Sequence, residues 1–264
     1  QFGPDVSVGM IREAVMKLGF RDMYEVSLGA DFVSKNEGQE LLEHYEAGEK
    51  MTTSCCPAFV SLIKKHYPQV LKYMSTTVSP MTATGRLIKA MHPDAVCVFI
   101  GPCIAKKSEV IDSITFGGAD YAMTYEELAS MFEAKNIDPE ECTETLQQGS
   151  KFGKQYSVSG GVTAAVLETF KETNKEVDLK VKTCSGALEC KKALMLLKVG
   201  KLPEDFIEGM ACVGGCVNGP AMLGKSRTFL KDRNGQIAKA DDRGVLENVA
   251  QYDEYGINMT RNHQ

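Results

Sequence analysis

Three short cysteine-bearing loops constrain this chain more than any other feature. They read TSCCP at 53–57, GPCIAKK at 101–107 and EGMACVGGCVNGP at 208–220. In the last, Cys212 and Cys216 stand four residues apart, so both thiols can face one way on a loop or helical turn. The glycines between them let the backbone approach an inorganic cluster and aim N–H groups at its sulfurs. By count alone, four thiolates serve zinc or an iron–sulfur cluster equally well. Structural zinc usually draws on tight Cys-x-x-Cys pairs. Cys56 and Cys103 instead stand far apart, each in its own small-residue loop, which favours a buried cluster.

The chain has 264 residues and nine cysteines. It is too long to need a disulfide framework, and the cysteine count is odd. With no secretion signal at the start, QFGPDVSVGM, a reducing cytoplasm is the expected compartment, where grouped cysteines read as metal ligation or redox chemistry. That start reads as a domain entered abruptly, with upstream sequence missing. Cys97, Cys142, Cys184 and Cys190 are expected to be small core residues. The net charge of −5 advertises no nucleic-acid surface, and no apolar run is long enough to span a bilayer.

Apolar spacing predicts helices over 8–19, 36–47, 59–67, 81–91, 125–134, 162–173 and 186–198. Thr124-Tyr125-Glu126-Glu127 reads as a capping box for the fifth of these. AVCVFI (95–100) reads as a buried strand of a parallel sheet, with Cys103 in the loop past its carboxyl end, where ligands of open α/β sheets commonly bind. Val177, Leu179 and Val181 alternate as on a strand. Strands alternating with helices imply an α/β fold. The last forty residues are polar and turn-rich.

TSCCP, then PCxxKK followed by Glu109, then EGMACxGGCxxG resemble, in order and spacing, the three signatures of the active domain of [FeFe]-hydrogenases. The resemblance runs from about residue 3 to about residue 225. It implies two lobes, each a mostly parallel sheet flanked by helices, with the cluster buried between them. About 1–110 plus the C-terminal part would form one lobe and about 111–200 the other. The resemblance also implies a [4Fe–4S] cluster on Cys56, Cys103, Cys212 and Cys216. Cys216 would bridge to a two-iron subsite carrying carbon monoxide, cyanide and a dithiolate, installed by maturation proteins. Lys106 would hydrogen-bond an iron-bound cyanide. Pro4, Gly101, Pro102 and Met210 would line the subsite. Cys55 would be the terminal proton donor, served by Glu37, Ser75 and Glu40, with His44 at the outer end. Glu37, Glu40 and His44 share one helix face by spacing, although a polar stripe is also simply the wet face of a helix. His66 and His92 are ordinary boundary residues.

The activity implied is the reversible reaction of two protons and two electrons to hydrogen. Ferredoxin, or the ferredoxin-like domains that precede this one in many relatives and are not in this chain, would be the electron partner. Three departures mark a divergent branch: Gly101 stands where the family's loop has methionine, Ala58-Phe59 follows TSCCP where Gly-Trp is common, and the end of the chain is short and lacks the family's usual tail pattern. The loss of a thioether predicts space, water or a shifted neighbour beside the subsite. Two rival readings remain: a hydrogen-sensing domain, and a cluster-assembly paralogue without the two-iron part.

Overall fold

The computed structural model describes residues 1–112, 115–224 and 226–261. From the N-terminus, helices α1 (Val8–Lys17) and α2 (Val26–Glu46) lead into strand β1 (Met51–Thr52). Helices α3 (Pro57–His66) and α4 (Pro80–Met91) follow, then β2 (Val98–Ile100), α5 (Ala105–Glu109), β3 (Tyr121–Met123) and α6 (Tyr125–Lys135). The second half runs α7 (Lys151–Gln155), α8 (Gly161–Glu172), β4 (Val181–Ser185), α9 (Ala187–Lys198) and β5 (Phe206–Met210). It closes with α10 (Ser226–Ala238) and α11 (Val245–Ala250).

Local chemistry starts these helices where the sequence says. Proline opens α3 and α4 at the first turn, where its missing N–H costs nothing. The capping box at α6 is present: Glu127 N–H donates to Thr124 Oγ1 at 3.2 Å, and Thr124 N–H to Glu127 Oε2 at 2.7 Å.

The strands form two parallel sheets, one ordered β1-β5-β4 and one pairing β2 with β3. Every residue of the central strand β5 is buried. Phe206 packs among Leu28, Val33, Leu41, Met51, Val162 and Val166 on one face. Ile207, the next residue, packs among Phe59, Ile63, Leu194 and Leu197 on the other. Alternate side chains thus anchor helices to both faces, as parallel sheets require. A third cluster joins α1 to α6 through Val15, Leu128 and Phe132, with Ile100 and Met123 of the small sheet against it. The architecture is α/β with helix-flanked parallel sheets, as expected.

Three elements differ from their sequence signatures. Helix α2 begins at Val26, ten residues earlier than its periodicity shows. Residues 28–34 are buried on every side, so no polar stripe marks the helical period there. The strand expected over 95–100 is only Val98–Ile100 and is half-buried, because the described residues pair it on one side only, with β3. Val177 and Leu179 pack on the first core cluster without a backbone ladder, and the strand starts at Val181, where pairing with Phe206 begins. The polar C-terminal segment is also ordered onto the body: Val78 N–H donates to Met259 O at 2.9 Å, and Thr77 bridges Thr260. Among the described residues, no helix is long and apolar enough to cross a membrane.

Gly209 shows how tightly the core closes on the sheet. A Cβ there would lie 2.3 Å from the Phe59 ring. Gly209→Ala is expected to lower unfolding free energy by about 1–3 kcal/mol through overpacking, read from chemical denaturation. A combined Phe59→Leu change should recover part of the loss.

Candidate cluster and proton-transfer site

Each cysteine loop leaves the carboxyl end of a parallel strand. TSCCP follows β1, GPCIAKK follows β2 and the Cys212 loop follows β5. This is where open α/β sheets place their ligands. The register Thr52↔Ile207 sets the first and third loops side by side. Thr53 N–H donates to Ile207 O at 3.0 Å, and Gly209 N–H to Thr53 Oγ1 at 3.1 Å. Ala221 N–H donates to Pro102 O at 3.0 Å and ties the third loop to the second. Gly215 has φ +105°, and a Cβ there would lie 2.6 Å from Ser157 O, so only glycine suits that turn.

The loops meet in one cavity of about 1060 Å³, whose wall includes Cys55, Cys56, Cys103, Cys212 and Cys216. Burial pushes the Cys212 thiol up to about 11, helped by the charges of Cys56 and Cys103. It also raises Cys216 and Cys103, with Lys106 partly opposing the effect at both. Cys103, Cys212 and Cys216 are thus held toward their protonated forms, so a metal bound by them would displace protons. Among the described residues, no three His, Cys, Asp or Glu side chains gather as they would around one metal ion. Four thiols distributed around one wall are compatible with a cluster, in which each corner iron would take its own thiolate.

Lys106, Met210, Gly101 and Pro102 share this wall. Lys106 is buried, and its ammonium donates to Ser79 Oγ at 2.8 Å and Glu109 Oε2 at 2.5 Å, with Cys55 O at 3.5 Å. Met210 is buried, with its sulfur 4.0 Å from Cys216 Sγ. Pro4 stands apart: it is exposed and outside the cavity wall, which Phe2, Gly3 and Val6 line instead. At Gly101 a neighbouring ring occupies the space. A Cβ there would lie 2.7 Å from Phe99 Cζ, so the Phe99 ring fills the room a side chain would take.

Cys55 is buried beside Cys56. Burial holds its thiol well above the ordinary range, and the Glu37 charge adds to this. Glu37 is fully buried on α2, with Oε1 accepting from Ser54 N–H at 3.4 Å and Oε2 without a partner. Its carboxyl is raised to about 8, first by desolvation and then by Glu40, while Ser75 and Arg261 pull it partway back. Ser75 Oγ donates to Glu40 Oε2 at 2.7 Å. Glu40 is half-buried and also accepts from Thr76 N–H at 2.7 Å and Thr77 Oγ1 at 3.1 Å. His44 turns to Glu49 Oε2, 3.1 Å from its Nδ1. Cys97, Cys142, Cys184 and Cys190 are buried in the core.

A family model for the iron-only hydrogenase large subunit, C-terminal domain, matches residues 1–220. The chain belongs to this iron-only hydrogenase family. It is 31% identical to the periplasmic [Fe] hydrogenase large subunit of Nitratidesulfovibrio vulgaris, over 83% of this chain and 64% of that protein. A cytosolic Fe–S cluster assembly factor of Danio rerio is 25% identical, over 90% of this chain and 72% of that one. The fold matches a variant of the [FeFe]-hydrogenase HydA1 of Chlamydomonas reinhardtii with TM-score 0.77 at 20% identity, covering 100% of this chain and 89% of that one. The chain spans about half to two-thirds of the length of the first curated hydrogenases it matches. Within this hydrogenase domain, Phe99 and Arg261 are the site residues that the motifs did not reveal. Phe99 lay hidden in an apolar run, and Arg261 in the polar tail.

Two outcomes test this geometry. Gly101→Met should lower the melting temperature by clashing with Phe99, and adding Phe99→Ala should restore most of it. Because Glu37 is raised in the folded state, its contribution to stability is complete below pH 4.5 and is lost as pH rises through 8. Glu37→Gln should therefore flatten the fall in stability across that window, as read by denaturation at a series of pH values in the metal-free protein.

Proposed function

We propose that this domain is the catalytic part of an [FeFe]-hydrogenase, interconverting two protons and two electrons with hydrogen. The observation that carries the reading is the pocket's second set of residues. Cys55 and Lys106 serve nothing in a four-thiol cluster site, yet both stand in the same wall as its thiols. Buried Glu37 acts electrostatically on Cys55, and buried Ser75 donates to half-buried Glu40, so these four groups could form a path for protons.

Cys56, Cys103, Cys212 and Cys216 would hold a [4Fe–4S] cluster, and Cys216 would also reach a two-iron part with carbonyl, cyanide and dithiolate ligands. When bound, this cofactor supplies the electrons and an open iron position for hydrogen. The protein supplies orientation, a dry pocket and protons. The Lys106 ammonium is held by Ser79 and Glu109, and its third N–H, only loosely engaged with Cys55 O at 3.5 Å, would turn to an anionic ligand facing the cavity. The Cys55 thiol keeps its proton until a base appears in the pocket, so it is a donor inward and is recharged from Glu37. Glu37 in turn exchanges with Ser75 and Glu40, where water can reach.

Helix α9 supports an electron-carrier partner of acidic surface. Leu188, Met195, Leu196 and Val199 are exposed along it, and Val213 of the Cys212 loop is exposed beside its start. Exposed Lys191, Lys192, Lys198 and Lys201 surround this apolar ridge. Such a patch suits a ferredoxin or a ferredoxin-like domain docked within reach of the cluster.

The second reading, a cluster-assembly role, rests on the likeness to the Danio rerio factor. Infrared spectroscopy after anaerobic maturation separates the two. Bands from iron-bound carbonyl and cyanide together with hydrogen turnover support the hydrogenase. Competent maturation without such bands sinks it. Cys55→Ser should retain the bands but lower turnover by about 100-fold or more. The Gly101–Phe99 arrangement can also shift the balance of turnover against slow hydrogen sensing, which the turnover number itself reports.

A further inference from the structure

Arg261 lies far from every cysteine motif, yet it is buried at the seam of the relay. Its backbone N–H donates to Thr76 O at 2.7 Å. Its Nε donates to Thr77 O at 2.9 Å and its Nη2 to Ser54 O at 2.5 Å. Ser54 Oγ also donates to Thr77 O at 2.5 Å. The guanidinium therefore staples the loop that presents Cys55 to the segment that presents Ser75. These acceptors are all neutral carbonyls, and among the described residues no carboxylate is hydrogen-bonded to the guanidinium. Burying an arginine against carbonyls alone is costly. Neutral donors would serve as well if stapling were the whole purpose.

The ionisable groups around Glu37 show what the charge faces. Glu40 acts on it from the same helix α2, and it in turn acts on Cys55 in the loop after β1 and on Tyr156 at the end of α7. All three are acids. Arg261, from the C-terminal segment, is a cation that lowers Glu37, and the two meet at one residue: Glu37 Oε1 accepts from Ser54 N–H at 3.4 Å and Arg261 Nη2 donates to Ser54 O at 2.5 Å, whereas the Lys106 ammonium near Cys55 O is paired with Glu109.

We propose that Arg261 is the fixed counter-charge of the relay, a positioning residue that keeps the Glu37 carboxyl able to give up its proton between Cys55 and Ser75. This rests on the relay reading given above. A carboxyl in that place has to pass through its ionised form each time it hands a proton on. Without a nearby cation, desolvation and Glu40 would keep it protonated and stop the exchange. Arg261 is fixed by three bonds to backbone carbonyls, so its field is constant while protons move.

The test reads the Glu37 carboxyl stretch by infrared difference spectroscopy across pH, on the whole chain and without turnover. The band is assigned by its loss in Glu37→Gln. Arg261→Gln is expected to raise the midpoint by about one pH unit, and Arg261→Lys to leave it near the wild-type value. If Arg261→Gln does not fold, Arg261→Met keeps the stem and removes the charge, with the same upward shift expected. An unchanged midpoint in the neutral variant overturns the proposal. So does Arg261→Lys shifting as far as the neutral variant, since lost stapling would then explain both. Absence of hydrogen turnover in the matured wild type, with the midpoint shift intact, would sink the relay reading and leave the coupling of Arg261 to Glu37 standing.

Discussion

The parallel pairing of β1 with β5 is the contact on which the rest of the site depends. Parallel strands end at the same edge of their sheet, so whatever follows them emerges together. Two registered residue pairs, Met51 with Phe206 and Thr52 with Ile207, bring loops from opposite ends of the chain side by side. The small β2-β3 sheet delivers the remaining loop in the same way. The cavity is thus a consequence of strand direction, and the helices on both faces of β5 keep that direction fixed.

Burial then sets the electrostatics. Burial disfavours the charged forms of Cys55, Cys103, Cys212, Cys216 and Glu37, so each is held toward its protonated state. For the thiols, this makes cluster binding and proton release one event. For Cys55 and Glu37, it disfavours permanent ionisation, which is what the proposed relay requires. Two buried cations, Lys106 and Arg261, reach backbone carbonyls of the Cys55 loop and are held in different ways. Lys106 is paired with Glu109, whereas Arg261 is held by carbonyls alone.

Several parts of this structure are legible without coordinates because their causes are local. Pro57, Pro80 and the Thr124–Glu127 box start helices through their own backbone chemistry. The glycines of the Cys212 loop announce a tight turn against a neighbour. Other parts are not legible, because their causes lie elsewhere in the chain. Residues 28–34 of α2 are enclosed on all sides, which removes the polar stripe that reveals a helix. Val177 and Leu179 alternate correctly but face no partner strand. Phe99 reads as one more apolar residue of a strand until the empty position at Gly101 gives its ring a place.

What the sequence alone determined was the chemical inventory: four cysteines in three small-residue loops, a fifth beside one of them, a lysine near another, and the family those motifs match. Short-range spacing and turn chemistry suffice for that. Only the tertiary structure decided which groups meet: that the Phe99 ring takes the room at Gly101, that Glu40 reaches Ser75, and that Arg261 returns from the polar tail to the Cys55 loop. These are contacts between residues up to two hundred positions apart, set by strand register and burial, and no local pattern in the chain encodes them.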